Sequence, residues 1–331
     1  MNNIVRLLLT AVFLIPIYGI SKNMSLIKDP KTGFFIVTED TSQPVVPVSQ
    51  SNFVVLDMTP YLNKPIFNDV NFKTAADMWQ GHFVASPYPA NGYPRSIAEI
   101  ETRTLGNYNL DSDNVVIPNY NQPIFIDVEC YGVNTAWNSV SQINENLNKK
   151  YKPIIEAARS GLSGVSPTQK IGFYGRIPRF EGWGGLTIGS TDYLRWQADN
   201  DRNAAVLMPL VDHMGLLGYQ YWDDGTILQQ EARWQDFITK TINEAVRIRN
   251  EAGYTATQRP IYVYIWNEYH EGAGEPYNRP LDTNYFVRQM QYLKDNGNVD
   301  GVLIWSNDLG VSWNDKAEWW VKTKTFINSL K

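Results

Sequence analysis

The chain has 331 residues, of which 43% are hydrophobic, 13% aromatic and 19% charged, a balance that supplies a full core and excludes a disordered chain, a collagen-like repeat and a coiled coil. Twenty-nine Lys plus Arg against 34 Asp plus Glu leave a formal charge of −5, whose long-range field repels polyanions and argues against nucleic acid as a partner. A single cysteine, Cys130, forbids an internal disulfide, so stability has to come from buried area.

Residues 1–20 read as an export signal: Arg6 precedes an apolar run from Leu7 to Tyr18, broken by Pro16, too short to span a bilayer. The expectation is a secreted, periplasmic or cell-surface protein with no membrane span in the mature chain. Residues 21–50 are polar and Pro-bearing and read as an extended N-terminal segment. From 51 to 331, short apolar runs alternate with helical patterns, the signature of parallel strands joined by helices. The clearest strands are FVVLDM (53–58), IFIDVEC (124–130), IGFYG (171–175), LLGYQYW (216–222), IYVYIWNE (261–268) and GVLIWSN (301–307). A helix over 229–248 is preceded by Thr226 and Gln229 at capping-box spacing, and Trp234, Phe237, Ile238, Thr241, Ile242, Ala245 and Ile248 recur along one face. With two further strands expected in 80–120 and 204–211, the pattern predicts an α/β protein built as a single (β/α)8 TIM-like barrel. No GxGxxG follows the first strand and no P-loop occurs, so a nucleotide cofactor is not expected.

In such a barrel the chemistry sits where strands end. Side chains alternate along a strand, so Phe125, Asp127 and Glu129 share one face while Ile126, Val128 and Cys130 share the other. The apolar set must meet the helices, which aims the two acids into the barrel mouth, roughly 7 Å apart. Two carboxyls this close in a dry site hold a proton between them near neutral pH, as a general acid toward a glycosidic oxygen requires; a structural pair bonded to Arg or backbone NH groups is the other reading. By the same alternation Tyr262, Tyr264, Trp266 and Glu268 face the interior, followed by His270 and Glu271, whose other reading is a solvated loop. Tyr219 and Tyr221 are in phase ahead of Trp222, and Trp305 and Asn307 close the last strand; with Tyr174 these offer phenols and flat rings suited to sugar faces. The three histidines, His82, His213 and His270, form no closely spaced ligand set, so no metal is expected.

The ordered motifs FIDVE (125–129), GFYG (172–175), GYQYW (218–222), PIYVY (260–264) and VLIW (302–305) resemble, over about 180 residues, those of the hyaluronidase-type glycoside hydrolases of family 56. That resemblance implies a distorted (β/α)8 barrel and a retaining, substrate-assisted mechanism on an N-acetylhexosamine, outside the usual two-carboxylate scheme. It implies Glu129 as general acid and base, Asp127 orienting the acetamide, Tyr174 and Tyr219 bonding it, and Trp305 walling the subsite. The family's paired cysteines are absent, and IPRF around Pro178 stands where it carries an acid. A second, local resemblance joins WNEYHEGAGEP (266–276) to the NEWHEG signature of family 99 endo-mannosidase-like and WbsX-type barrels, and implies Glu268 and Glu271 as the acids. Both imply a glycosidase acting on a polysaccharide or glycan, which the leader at residues 1–20 marks for export; a carbohydrate-binding or structural barrel without turnover is the competing class.

Overall fold

The computed structural model describes residues 24–28, 35–39, 53–85, 92–109, 123–163, 166–179, 186–270, 279–308 and 310–331. The chain divides into two compact units, Met1–Ser49 and Gln50–Lys331. In the first, β1 (Met24–Lys28) and β2 (Phe35–Glu39) pair antiparallel, with Met24 opposite Glu39, so the segment expected to be extended contains a hairpin. The export signal and Glu271 lie outside the described residues.

The second unit is an α/β barrel. Its strands are β3 (Val54–Asp57), β4 (Asn68–Asp69), β5 (Phe72–Thr74), β6 (Ala76–Trp79), β7 (Ile124–Asp127), β8 (Ile171–Tyr174), β9 (His213–Leu217), β10 (Ile261–Ile265) and β11 (Gly301–Ile304). They form one sheet in the order β4-β5-β3-β11-β10-β9-β8-β7-β6, parallel throughout except for the short β4. The two ends of that order are one stretch of chain. Ala75 donates to the Asp57 carbonyl at 2.9 Å and Ala76 to the Pro123 carbonyl at 3.1 Å, so residues 72–79 act as a single strand that changes partner at Ala75 and closes the ring.

Counted this way, the described residues hold seven parallel staves, one fewer than expected. Among the described residues, neither anticipated hidden strand forms. The 204–211 run, AAVLMPLV, ends the helix Thr191–Leu207, because a short apolar run fits either state and Pro209 then stops the helix. The 80–120 stretch holds a 3₁₀ turn at Gln80–His82 and the helix Ile97–Asn109 among its described residues.

Outside the ring pack α1 (Ile97–Asn109), α2 (Val140–Asn146), α3 (Lys152–Ser163), α4 (Thr191–Leu207), α5 (Ile227–Glu251), α6 (Thr283–Asp295) and α7 (Glu318–Asn328). The Thr226–Gln229 capping box starts α5, and all seven residues of its expected apolar face are buried. Burial of Ile126, Val128, Ile261, Val263 and Ile265 to 0% exposure shows the outward faces of β7 and β10 sealed against this helix layer. Each such side chain contributes about 1.5–3 kcal/mol of transfer free energy. No helix among the described residues is long and apolar enough to cross a membrane.

Candidate active site at the barrel mouth

The barrel interior is a column of aromatic rings rising toward the C-terminal ends of the strands. Phe125 sits at its base, 4.4 Å from His213, 6.0 Å from Tyr262 and 5.4 Å from Tyr264 between ring centres. Tyr174 follows, edge-on to Tyr264 at 4.6 Å and 6.3 Å from Tyr219. Above it, Tyr219 lies 5.8 Å from Trp305 and stacks on His270 at 5.1 Å, and Trp266 meets Trp305 at 5.0 Å. The inward phase of Phe125 carries Asp127, two residues on, to the level of Tyr174. The neighbouring stave, β6, supplies Asp77, paired in register with Phe125.

Burial, then the charges of Asp77 and Glu129, push the Asp127 carboxyl well above the usual carboxylate range, and Arg176 opposes them. Its Oδ1 is buried without a hydrogen-bond partner, so a proton there meets both problems at once. Burial also pushes the Tyr174 and Tyr219 hydroxyls far above their ordinary value, helped by Asp127, Glu129 and Tyr221 and opposed at Tyr219 by its hydrogen bond with Tyr174, which keeps them neutral donors.

Glu129 is exposed and lines a cavity of about 290 Å³ with Tyr174, Arg176, Arg179, Asn134, Asn138 and Trp137. The backbone beneath it is fixed from three sides. The Glu129 amide donates to Gln80 Oε1 at 3.2 Å, and Arg176 Nε and Nη2 donate to the Val128 carbonyl at 3.0 and 2.7 Å. The Tyr151 hydroxyl lies 2.9 Å from that carbonyl and 2.8 Å from the Tyr131 carbonyl. Tyr151 occupies a π-helical turn, Leu147–Tyr151, between α2 and α3, and the extra residue of such a turn re-aims a side chain. Gly175 turns the chain toward Arg176 with φ of +57°, and a Cβ there would stand 2.0 Å from Leu217 Cδ1.

A second acidic group occupies the ends of β10, β11 and β3. Burial and Asp308 push the half-buried Glu268 carboxyl up to about 7. The Tyr61 hydroxyl donates to Asp308 Oδ2 at 2.5 Å, and beside it Lys64 pairs with Asp57 at 2.7 Å with both side chains buried.

Of the residues expected from the sequence, Asp127, Glu129, Tyr174, Tyr219, Tyr264, Trp266 and Trp305 meet in one column. Glu268 joins the second group. Tyr221 touches His270 at 5.0 Å and Phe237 of α5 at 6.0 Å, and Trp222 packs on Phe237 at 5.8 Å. Beyond Leu217 the chain leaves the sheet, with one bridge from Gln220 to Tyr269, so strict alternation does not extend through residues 218–222. Asn307 is exposed at the mouth. Sequence reasoning missed Asp77, Gln80, Trp137, Arg176, Arg179 and the Tyr61–Asp308 pair. Asp77 was hidden by a stave too short and mixed to read as a strand; Arg176 directly follows GFYG and could have been found as the first residue past a strand end. No group of His, Cys, Asp or Glu among the described residues is arranged to hold a metal ion.

No family model matches the sequence, and no curated protein does. Among solved structures, the chain is similar to an endo-β-1,4-mannanase from Thermotoga petrophila, with 11% identity, TM-score 0.39, and coverage of 70% of this chain and 50% of that one. A modular endo-β-1,4-mannanase from Cellulomonas fimi gives 14% identity and TM-score 0.38, covering 70% and 44%. A family 51 α-L-arabinofuranosidase from Bifidobacterium longum gives 11% identity and TM-score 0.37, covering 81% and 62%. The chain thus spans about half the length of the two mannanases.

Proposed function

We propose that this chain is an exported glycoside hydrolase whose general acid and base is Glu129. The carrying observation is the buried Asp127 carboxyl, pushed well above the usual carboxylate range, two residues before Glu129 on one stave and among buried tyrosines that open on a cavity. The proton held at Asp127 passes through Glu129, the member facing the cavity, to the glycosidic oxygen as that bond breaks, which leaves Asp127 as the carboxylate. On an N-acetylhexosamine, the acetamido oxygen closes on its own anomeric carbon, oriented by the Tyr174 and Tyr219 hydroxyls. Asp127 accepts the acetamido N–H and offsets the developing positive charge. Water then opens the ring intermediate while Glu129 takes its proton, so configuration is retained without an enzyme-linked sugar.

The test is release of reducing ends from a panel of N-acetylhexosamine polymers and neutral glycans. Glu129→Gln and Asp127→Asn should each lower turnover by about 10²–10⁴. The elevated Glu268 carboxyl supports a second reading in which Glu268 is the acid; Glu268→Gln abolishing turnover with Glu129→Gln near normal would establish it. Tight glycan binding with no turnover by any variant would make the chain a binding barrel.

A further inference from the structure

In the sheet β7 runs between β6 and β8, and each neighbour brings one charged side chain, of opposite sign, to the segment that carries Asp127 and Glu129. Asp77 of β6 is registered with Phe125. It therefore stands one inward level beneath Asp127, about 8 Å away between Cα atoms by strand rise and spacing. From the far side of β7 comes Arg176, which follows Gly175 at the end of β8. Its Nε and Nη2 both donate to the Val128 carbonyl, at 3.0 and 2.7 Å. The Tyr151 hydroxyl donates to the same oxygen at 2.9 Å, with its ring centre 5.7 Å from the guanidinium. Two donors of one rigid fork on one carbonyl fix the guanidinium at the peptide that joins Val128 to Glu129, where its charge acts on both acids. Asp127 is thus faced by Asp77 from β6, Glu129 on its own stave, Tyr174 and Arg176 from β8 and its turn, Tyr219 beyond β9, and Tyr264 of β10. The phenols stay neutral, and Arg176 is the one cation in that set. Because Asp127 Oδ1 is buried and takes no hydrogen bond, the charges around it weigh heavily on which form it holds.

We infer that Asp77 and Arg176 are positioning residues that act through Asp127: Asp77 keeps the proton on Asp127 until substrate binds, and Arg176, clamped on the Val128 carbonyl, stabilises the carboxylate left when that proton departs. The inference rests on the glycosidase reading, with Glu129 as the acid, for what the proton is used for. While Asp127 is protonated, it relieves the repulsion that a second carboxylate would meet above Asp77. When the proton moves through Glu129 to the glycosidic oxygen, Asp127 gains one negative charge and the closing sugar ring gains one positive charge. The new carboxylate then needs a cation that is already in place, since reorienting one would cost time and energy, and the fork on Val128 supplies it. In the second half, Glu129 takes a proton from water and returns it to Asp127, which restores the starting charges. A negative group below β7 and a positive group above it therefore bias the proton toward Asp127 at rest and ease its release upward.

The test follows the Asp127 carboxyl by carbon NMR in full-length protein labelled at the aspartate side-chain carboxyls, its signal identified by its loss in Asp127→Asn. This reads the proton directly and needs no turnover. Asp77→Asn removes the like charge and should move the titration about one pH unit lower, whereas Arg176→Gln removes the opposite charge and should move it about one unit higher. Asp77→Glu and Arg176→Lys keep the charges and should stay near wild type. The alkaline limb of reducing-end release should shift with the same signs, and kcat of Arg176→Gln should fall about tenfold or more. Opposite shifts are the diagnostic result, because a merely structural role for either residue would not give them. Shifts in the same direction, or no shift in either variant at unchanged melting temperature, overturn the inference. Should Arg176→Gln not fold, Asp77→Asn decides alone, and an unmoved titration there overturns it. Opposite shifts together with full turnover by Glu129→Gln would overturn Glu129 as the acid and leave the charge pair standing.

Discussion

Glu268 offers a quantitative test of how the barrel mouth is charged. Its carboxyl rises from an ordinary 4.5 to about 7 through burial and the proximity of Asp308. A raised folded-state value means that the native protein binds the proton more tightly than the unfolded chain. Glu268 therefore favours folding fully below pH 4.5, and that contribution is lost as pH rises through 7. At about 1.4 kcal/mol per unit, the full shift would amount to about 3 kcal/mol, and for a half-buried group solvent screening lowers this to about 1–2 kcal/mol. Replacing Glu268 with Gln keeps the shape and removes the ionisation. The variant should match wild type near pH 4 and exceed it by about 1–2 kcal/mol at pH 8, with the gap opening between 4.5 and 7. Urea unfolding of both proteins at four pH values measures it. Taking the difference between the two curves cancels Asp127 and Asp300, whose carboxyls are also pushed up by burial. A gap that is flat across this range would refute the reasoning.

Buried His82 and His213 work in the opposite sense. Burial pulls each from 6.5 down to about 4, so each contributes stability above pH 6.5 that is lost as pH falls toward 4, up to about 3 kcal/mol apiece; His82→Gln should flatten the acid limb of the urea midpoint, and an unchanged limb would count against it. Gly175→Ala forces a Cβ into a left-handed backbone and onto Leu217 and should cost about 2 kcal/mol or more in chemical unfolding, whereas a loss under about 0.5 kcal/mol would contradict the turn's role. Tyr151→Phe removes the hydroxyl beside the Val128 and Tyr131 carbonyls; it should cost about 1–2 kcal/mol of stability and lower kcat with little change in KM, since Glu129 is displaced without loss of sugar contacts.

What could be read from residues alone follows from how each stave meets its surroundings. IFIDVEC was legible because its outward residues must be apolar and its inward acids then have one place to go; β10 repeats the argument with Tyr262, Tyr264 and Trp266. The α5 helix announced itself with a capping box and seven apolar residues recurring along one face of 229–248, within the 25 residues it spans. The stave at 72–79 did not, because FKTAADMW mixes charge with small residues and divides its hydrogen bonds between two neighbours, leaving no run long enough to show a period. Arg179 stood out in the sequence only as part of the IPRF segment after GFYG. Which groups face the cavity arginines is set by the fold, and no linear pattern reports that.

The ring is sealed by the pairing of β3 with β11, Val54 to Gly301 through Asp57 to Ile304. These are nearly the first and last pieces of the barrel to leave a ribosome. Until the final stave emerges, Val55 and its neighbours carry an open row of amides and carbonyls, the kind of edge that recruits other chains. A product truncated before residue 301 should therefore be an aggregating sheet rather than a smaller barrel, and the nascent chain has reason to be held by a chaperone until Gly301–Ile304 arrives.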